Sequence, residues 1–148
     1  MSQNHLRGIA VTLRVVDEAL QSFRATAEGL TERGVMYEQG NDLSPSERTR
    51  IAAGVDALSS LLAEVRGSLG LPVEVRSVRT SIWAVCAVLS DYLDEVSPSR
   101  LIRYGEVPPE LATYIGPRIE EMQRQLTSIA EAVGARSANG HAEEVDGA

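Results

Sequence analysis

The chain is predicted to be all-α, an antiparallel up-down four-helix bundle, and three observations predict it. Apolar residues recur at alternating steps of three and four along four stretches, the spacing of helices that each bury one narrow seam. Helix-start and helix-stop signals separate those stretches. The connections read as short, which makes successive helices antiparallel neighbours.

The first stretch carries Leu6, Ile9, Leu13, Val16, Leu20, Phe23, Ala27, Leu30, Gly34 and Tyr37 at this spacing. Its helix ends at Arg33 if Gly34 caps it, or near Glu38 if the repeat is followed, and the repeat favours the longer version. Ser44-Pro45-Ser46-Glu47 then starts a second helix, with Ser as N-cap, Pro in the first turn and Glu closing a capping box. Its seam is Ile51, Val55, Leu58, Leu62, Val65 and Leu69, and Gly70 stops it. Gly70 to Pro72 is read as the whole connector, with Pro72 in the first turn of a third helix. That helix places Leu71, Val75, Val78, Ile82, Val85, Leu89, Tyr92 and Val96 on its seam until Ser97-Pro98 ends it.

The segment Ser97 to Pro109 holds three prolines and Gly105, and is expected to be the longest irregular stretch, with one helical turn across Pro98 to Arg103. A fourth helix from Pro109 carries Ala112, Ile115, Ile119, Met122, Leu126, Ile129 and Val133. Pro117 should kink it or split off a short helix, and Gly134 should stop it. Residues 1–134 thus form the bundle domain. Residues 135–148, small and charged without apolar period, are expected to be a disordered tail.

Composition narrows function by exclusion. The net charge of -7 repels phosphate backbones and anionic lipid, so neither nucleic acid nor a membrane is an expected partner. Aromatic residues are 4% of the chain, too few for base-stacking platforms. All the basic residues are arginine, a bias that identifies no site by itself. Cys86 is the single cysteine and lies in an apolar run, which excludes an internal disulfide framework and predicts a small buried hydrophobe. The N-terminal stretch is interrupted by Arg7, Arg14, Asp17 and Glu18, and no apolar run approaches a membrane span, so a cytoplasmic protein is expected.

Catalytic chemistry finds little support. On the heptads, Asp17, Glu28, Glu32, Asp56, Glu64, Asp91, Asp94, Glu95, Glu120 and Glu121 all fall outside the seams and read as solvated faces. A magnesium site would need paired acidic groups on facing helices. Asp91, Asp94 and Glu95 supply one such group without a partner. His5, with Arg7 two positions on, misses the spacing of a phosphotransfer helix by one residue. No Gly-rich phosphate loop and no nucleophile–base pair is present. The chain is therefore expected to need no cofactor and no metal, and no residue is assigned a catalytic role.

Two functions follow as expectations. The first is protein association without catalysis, as a homodimer or as an adaptor for another protein. With Ile82 and Val85 on the seam, Thr80, Trp83, Ala84, Ala87 and Ser90 form an uncharged outer face around the only tryptophan, the pattern of an aromatic anchor. The alternative is binding of, or an enzyme acting on, a small anionic ligand such as a nucleotide. Arg100, Arg103 and Tyr104 would hold it, within reach of Asp42, Arg48 and the Asp91 to Glu95 turn. The competing reading is that these arginines pair with the carboxylates and tie the segment down.

Overall fold

The structure is a computed structural model; it describes the backbone of residues 2–143 and the side chains of residues 2–134. It is all-α. Five helices follow in order: α1 (Gln3–Ala27), α2 (Pro45–Leu69), α3 (Val78–Asp94), α4 (Pro98–Leu101) and α5 (Pro109–Glu143), with a 3-10 turn over Ile102–Tyr104. Among the described residues there is no strand, and one isolated bridge pairs Arg33 with Glu38.

Serines cap the starts of α1, α2 and α3. Ser2 Oγ accepts from His5 N, Ser44 Oγ from Glu47 N and Ser77 Oγ from Thr80 N. At α2 the capping box is complete, because Glu47 returns a carboxylate to Ser44 N at 2.7 Å. A run of Pro98 to Tyr104 does turn helically, as the sequence predicts, split between α4 and the 3-10 turn.

The chain divides into two compact units, Met1–Val73 and Glu74–Ala148. In the first, α1 packs on α2. The two run antiparallel, since Arg24 Nη1 reaches Asp56 Oδ1 at 3.0 Å while Gly29 lies against the Arg48 guanidinium. Leu20 and Val55, each 2% exposed, are the centre of this packing, with Ala10 and Leu71 also buried. Val16, Phe23 and Leu58 belong to the predicted seams but are exposed on its flank.

Helix α1 is shorter than predicted. It stops at Ala27 because Gly29 takes a left-handed φ of 86°, letting Leu30 N bond Ala25 O and Gly29 N bond Thr26 O. Leu30, Gly34 and Tyr37 keep the heptad spacing without being helical. Instead, residues 28–44 form the longest connection between α-helices, folded on itself by Gly34 N to Tyr37 O and Gln39 N to Glu32 O. Asn41 Nδ2 ties that connection to Thr26 O at 3.0 Å.

The α2–α3 connection is also longer than predicted. Gly70, at φ 63°, ends α2 with the same glycine-leucine motif, Leu71 N bonding Arg66 O. No helix follows until Val78. Pro72, Val73 and Val75 have poor helix propensity, and Ser77 is the first residue that caps. The inference that a tight turn forces α2 and α3 together therefore loses its premise.

In the second unit α3 packs antiparallel on α5. Arg79 Nη1 donates to Val133 O at 2.7 Å and Gln123 Nε2 donates to Ser90 O at 3.3 Å, and a Cβ added at Gly116 would meet Pro98 of α4 at 3.4 Å. Helix α5 runs through Pro117 without splitting. Arg118 holds the weakened turn from outside, donating to Tyr114 O at 2.8 Å with its guanidinium 3.7 Å over the Tyr114 ring. Nor does Gly134 stop it: α5 continues to Glu143. The tail expected over 135–148 concerns side chains, and for 144–148 whole residues, that lie outside the described set.

The seam of this hairpin differs from the predicted one. Cys86 (6% exposed) and Ile119 (5%) are its buried residues. Ser90 and Leu93 on α3, and Gln123, Leu126, Ala130 and Val133 on α5, are half-buried around them. The predicted α3 seam lies about 80° round the helix, at 100° per residue. It is exposed: Val85 is 51% accessible and Tyr92 67%. On α3 the packed positions are thus largely small, Cys86 and Ser90 with Leu93, while α5 packs Ile119, Leu126 and Val133 together with Gln123 and Ala130.

Candidate functional site

The largest consequence of that shift is an aliphatic groove on one side of the α3/α5 hairpin. Leu89, Tyr92 and Leu93 from α3 face Met122, Leu126 and Ile129 from α5 around about 490 Å³. Toward the start of α3 the same stripe continues over Val85, Ile82 and Val78, all exposed. Glu121 and Gln125 border the groove. The Glu121 carboxylate accepts from Gln125 Nε2 and Arg124 Nε, each at 2.8 Å. The Gln125 bond first and the Arg124 bond and charge second hold its pKa below the ordinary carboxylate value. The border is thus polar and self-paired, the floor apolar.

The tryptophan lies on the opposite side of the hairpin. Trp83, Ala87 and Ser90 border α5 at Leu126, Thr127 and Ala130, around a groove of about 620 Å³. Thr80 joins Trp83 at the end of the hairpin, beside Val133 and Gly134. Four of the five residues expected on one face are therefore brought together, but next to α5 instead of turned away from it. Ala84 is exposed and lines neither groove, being about 100° further round α3 than Trp83.

Arg100, Arg103 and Tyr104 sit on α4 and the 3-10 turn that follows. Arg100 Nε lies 3.6 Å from Asp94 Oδ2. Arg103 pairs with the Glu95 carboxylate and also donates to the Glu95 backbone oxygen at 3.4 Å. Its guanidinium lies 5.1 Å from the Tyr104 ring centre. Both arginines thus face carboxylates at the end of α3 and fasten the turn to it, and Tyr104 is exposed.

The chemistry of the remaining groups is sparse. Among the described residues no group of three His, Cys, Asp or Glu side chains is placed to hold a metal ion. Cys86 is buried, as its apolar surroundings in sequence predict. His5 lies in the first turn of α1, exposed. Residues that sequence reasoning missed are Gln123 and Ala130, which lie on the α3-facing line. Their own spacing of four and three with Ile119, Leu126 and Val133 was the available signal.

Among the described residues no helix is long and apolar enough to cross a membrane. Comparison of the chain with protein-family models, with curated proteins and with solved structures returned no match.

Proposed function

We propose that this chain is a cytoplasmic association protein, working through the α3/α5 hairpin and without catalytic chemistry of its own. One observation carries the reading: the stripe Val78, Ile82, Val85, Leu89 and Tyr92 is exposed on α3 and runs into the groove floored by Met122 and Ile129. A helix bordering water is ordinarily polar there, and a continuous apolar face of this length is the mark of a surface that binds protein. A second helical hairpin laid on it would complete a four-helix arrangement, with homodimerisation the simplest way to supply one. The Trp83 groove offers a second contact on the other side of the hairpin, where an aromatic ring stands among Ala87, Ser90 and Ala130.

The alternative, a small anionic ligand held by Arg100, Arg103 and Tyr104, has the two guanidiniums on successive turns in its favour. Such a ligand has to displace the Asp94 and Glu95 carboxylates, so its binding would compete with the contacts that fasten this turn. Light scattering across micromolar concentrations tests the leading reading: a species of at least twice the chain mass is expected. A monomer that also captures no protein through this face overturns it. Thermal-shift screening against nucleotides and other anions tests the alternative, because a ligand that binds the native state raises its melting temperature.

A further inference from the structure

We infer that the partner on the aliphatic face is a second copy of this chain, with α3 packed antiparallel against its own copy about a two-fold axis level with residue 87. The inference rests on the association reading and adds its partner, register and direction.

The spacing of the stripe is palindromic. Within α3, Ile82, Val85, Leu89 and Tyr92 follow in steps of three, four and three. A helix reversed on itself therefore meets its copy in register, Ile82 against Tyr92 and Val85 against Leu89, each layer occurring twice, while Val78 lies level with the turn that follows Asp94. Such layers are what antiparallel helices of heptad spacing require, and a two-fold interface is self-complementary by construction. Met122 and Ile129 of each copy would flank the layers, because they line the same groove as Leu89 and Tyr92.

Charge selects the direction. From Thr80 to Ser90 the helix has no charged residue; Arg79 stands in its first turn with Arg76 and Glu74 just ahead of it, and Asp91, Asp94 and Glu95 stand at its end. Its first turn lacks an acid and its last turn a base, so these charges oppose its own dipole. Parallel pairing would set like ends together. Antiparallel pairing brings the basic end of one copy to the acidic end of the other, for both ends at once. Arg76 already pairs with Glu74, Arg79 donates to Val133 O, and Asp94 and Glu95 hold Arg100 and Arg103, so the ends contribute orientation more than affinity.

Two measurements on the full chain decide it. Light scattering should give a dimer that Leu89→Arg reduces to one chain mass, with helical circular dichroism retained. For direction, Val85→Cys and Leu89→Cys are made separately in a Cys86→Ala background and oxidised alone and as an equilibrated mixture. A disulfide needs Cβ atoms about 4 Å apart, so the antiparallel register links Val85→Cys to Leu89→Cys across copies and links neither variant to itself. Cross-linked dimer in the mixture alone is the expected result. Self-linking of either variant alone means a parallel pair, and overturns the inference while leaving association standing. A dimer that ignores Leu89→Arg and cross-links in no sample places the interface elsewhere, with the same consequence. A wild-type monomer overturns the homodimer. If Leu89→Arg loses its helicity, the cysteine variants decide alone.

Discussion

Arg79 and Val133 clasp the open end of the second hairpin: the guanidinium at the start of α3 donates to a carbonyl late in α5 at 2.7 Å, across a part-buried contact. A charged donor on a backbone acceptor is worth about 1.5–3 kcal/mol when its removal leaves the acceptor poorly solvated. Arg79→Ala should therefore lower stability by about 1–2 kcal/mol in urea unfolding, with an unchanged denaturant slope. An unaltered midpoint would mean that water replaces the guanidinium freely.

The first hairpin depends on two side chains more than on any others. Leu20 and Val55 are each only 2% exposed, and truncation removes both transfer free energy and packing. Leu20→Ala should cost about 2–4 kcal/mol and Val55→Ala somewhat less. Phe23→Ala, on the exposed flank, should cost under half as much as Leu20→Ala despite deleting more atoms. Equal costs would show that the flank is covered in solution.

Ser59 presents the opposite case. Its hydroxyl is buried on the α1-facing side of α2 with no hydrogen-bond partner among the described residues. Ser59→Ala removes an unsatisfied polar atom and improves helix propensity, so the melting temperature should rise, by about 0.5–1 kcal/mol of stability. A fall would reveal a partner such as bound water.

Two glycines should respond with opposite signs. Gly29 ends α1 at φ 86°, where an L side chain is strained, so Gly29→Ala should destabilise by about 1 kcal/mol. Gly8 lies inside α1, where an added Cβ would meet nothing within 4 Å, and Gly8→Ala should stabilise by a similar amount. Thermal unfolding of the pair checks the assignment of the helix end directly.

Exhaustive chelation should leave helicity and melting temperature unchanged, since the buried residues Leu20, Val55, Cys86 and Ile119 belong to packed seams and are not gathered round an ion. A drop in either after EDTA treatment would point back to the Asp91, Asp94 and Glu95 turn.

Much of the architecture was legible in sequence where the signal was local. Ser44 with Glu47 and the stop at Gly70 read correctly because a cap is settled within a few residues, although Leu71, assigned to the third helix, in fact closes the end of α2. Gly29-Leu30 carries the same stop signal as Gly70-Leu71, but the heptad running on through Leu30, Gly34 and Tyr37 hid it. Gly34 has another reason to be glycine: a Cβ there would stand 2.7 Å from the Tyr37 ring. The α3 seam was misplaced for a different reason. Hydrophobicity ranks Val85 and Tyr92 above Cys86 and Ser90, and a pattern of hydrophobicity alone does not say which face of a helix meets its partner. The arginine turn was read chemically in the right terms, since Arg100 and Arg103 do meet the carboxylates at the end of α3, but pairing rules cannot say from sequence whether a ligand competes for them.

The division at Val73 and Glu74 bears on how the chain acquires its structure as it is made. Within the first unit every helix contact joins neighbours along the chain, and such local topology folds in microseconds to milliseconds, far faster than synthesis at about 5–20 residues per second. Once residues 1–73 have left the ribosome, α1 can close on α2 through Leu20 and Val55 before α5 has been translated. In the second unit α3 must wait for α5 with Cys86, Ser90 and Leu93 uncovered as well as the valine stripe, which α5 leaves exposed. That interval, set by the length of chain from Pro98 through the 3-10 turn to Val133, is when this protein is most exposed to aggregation.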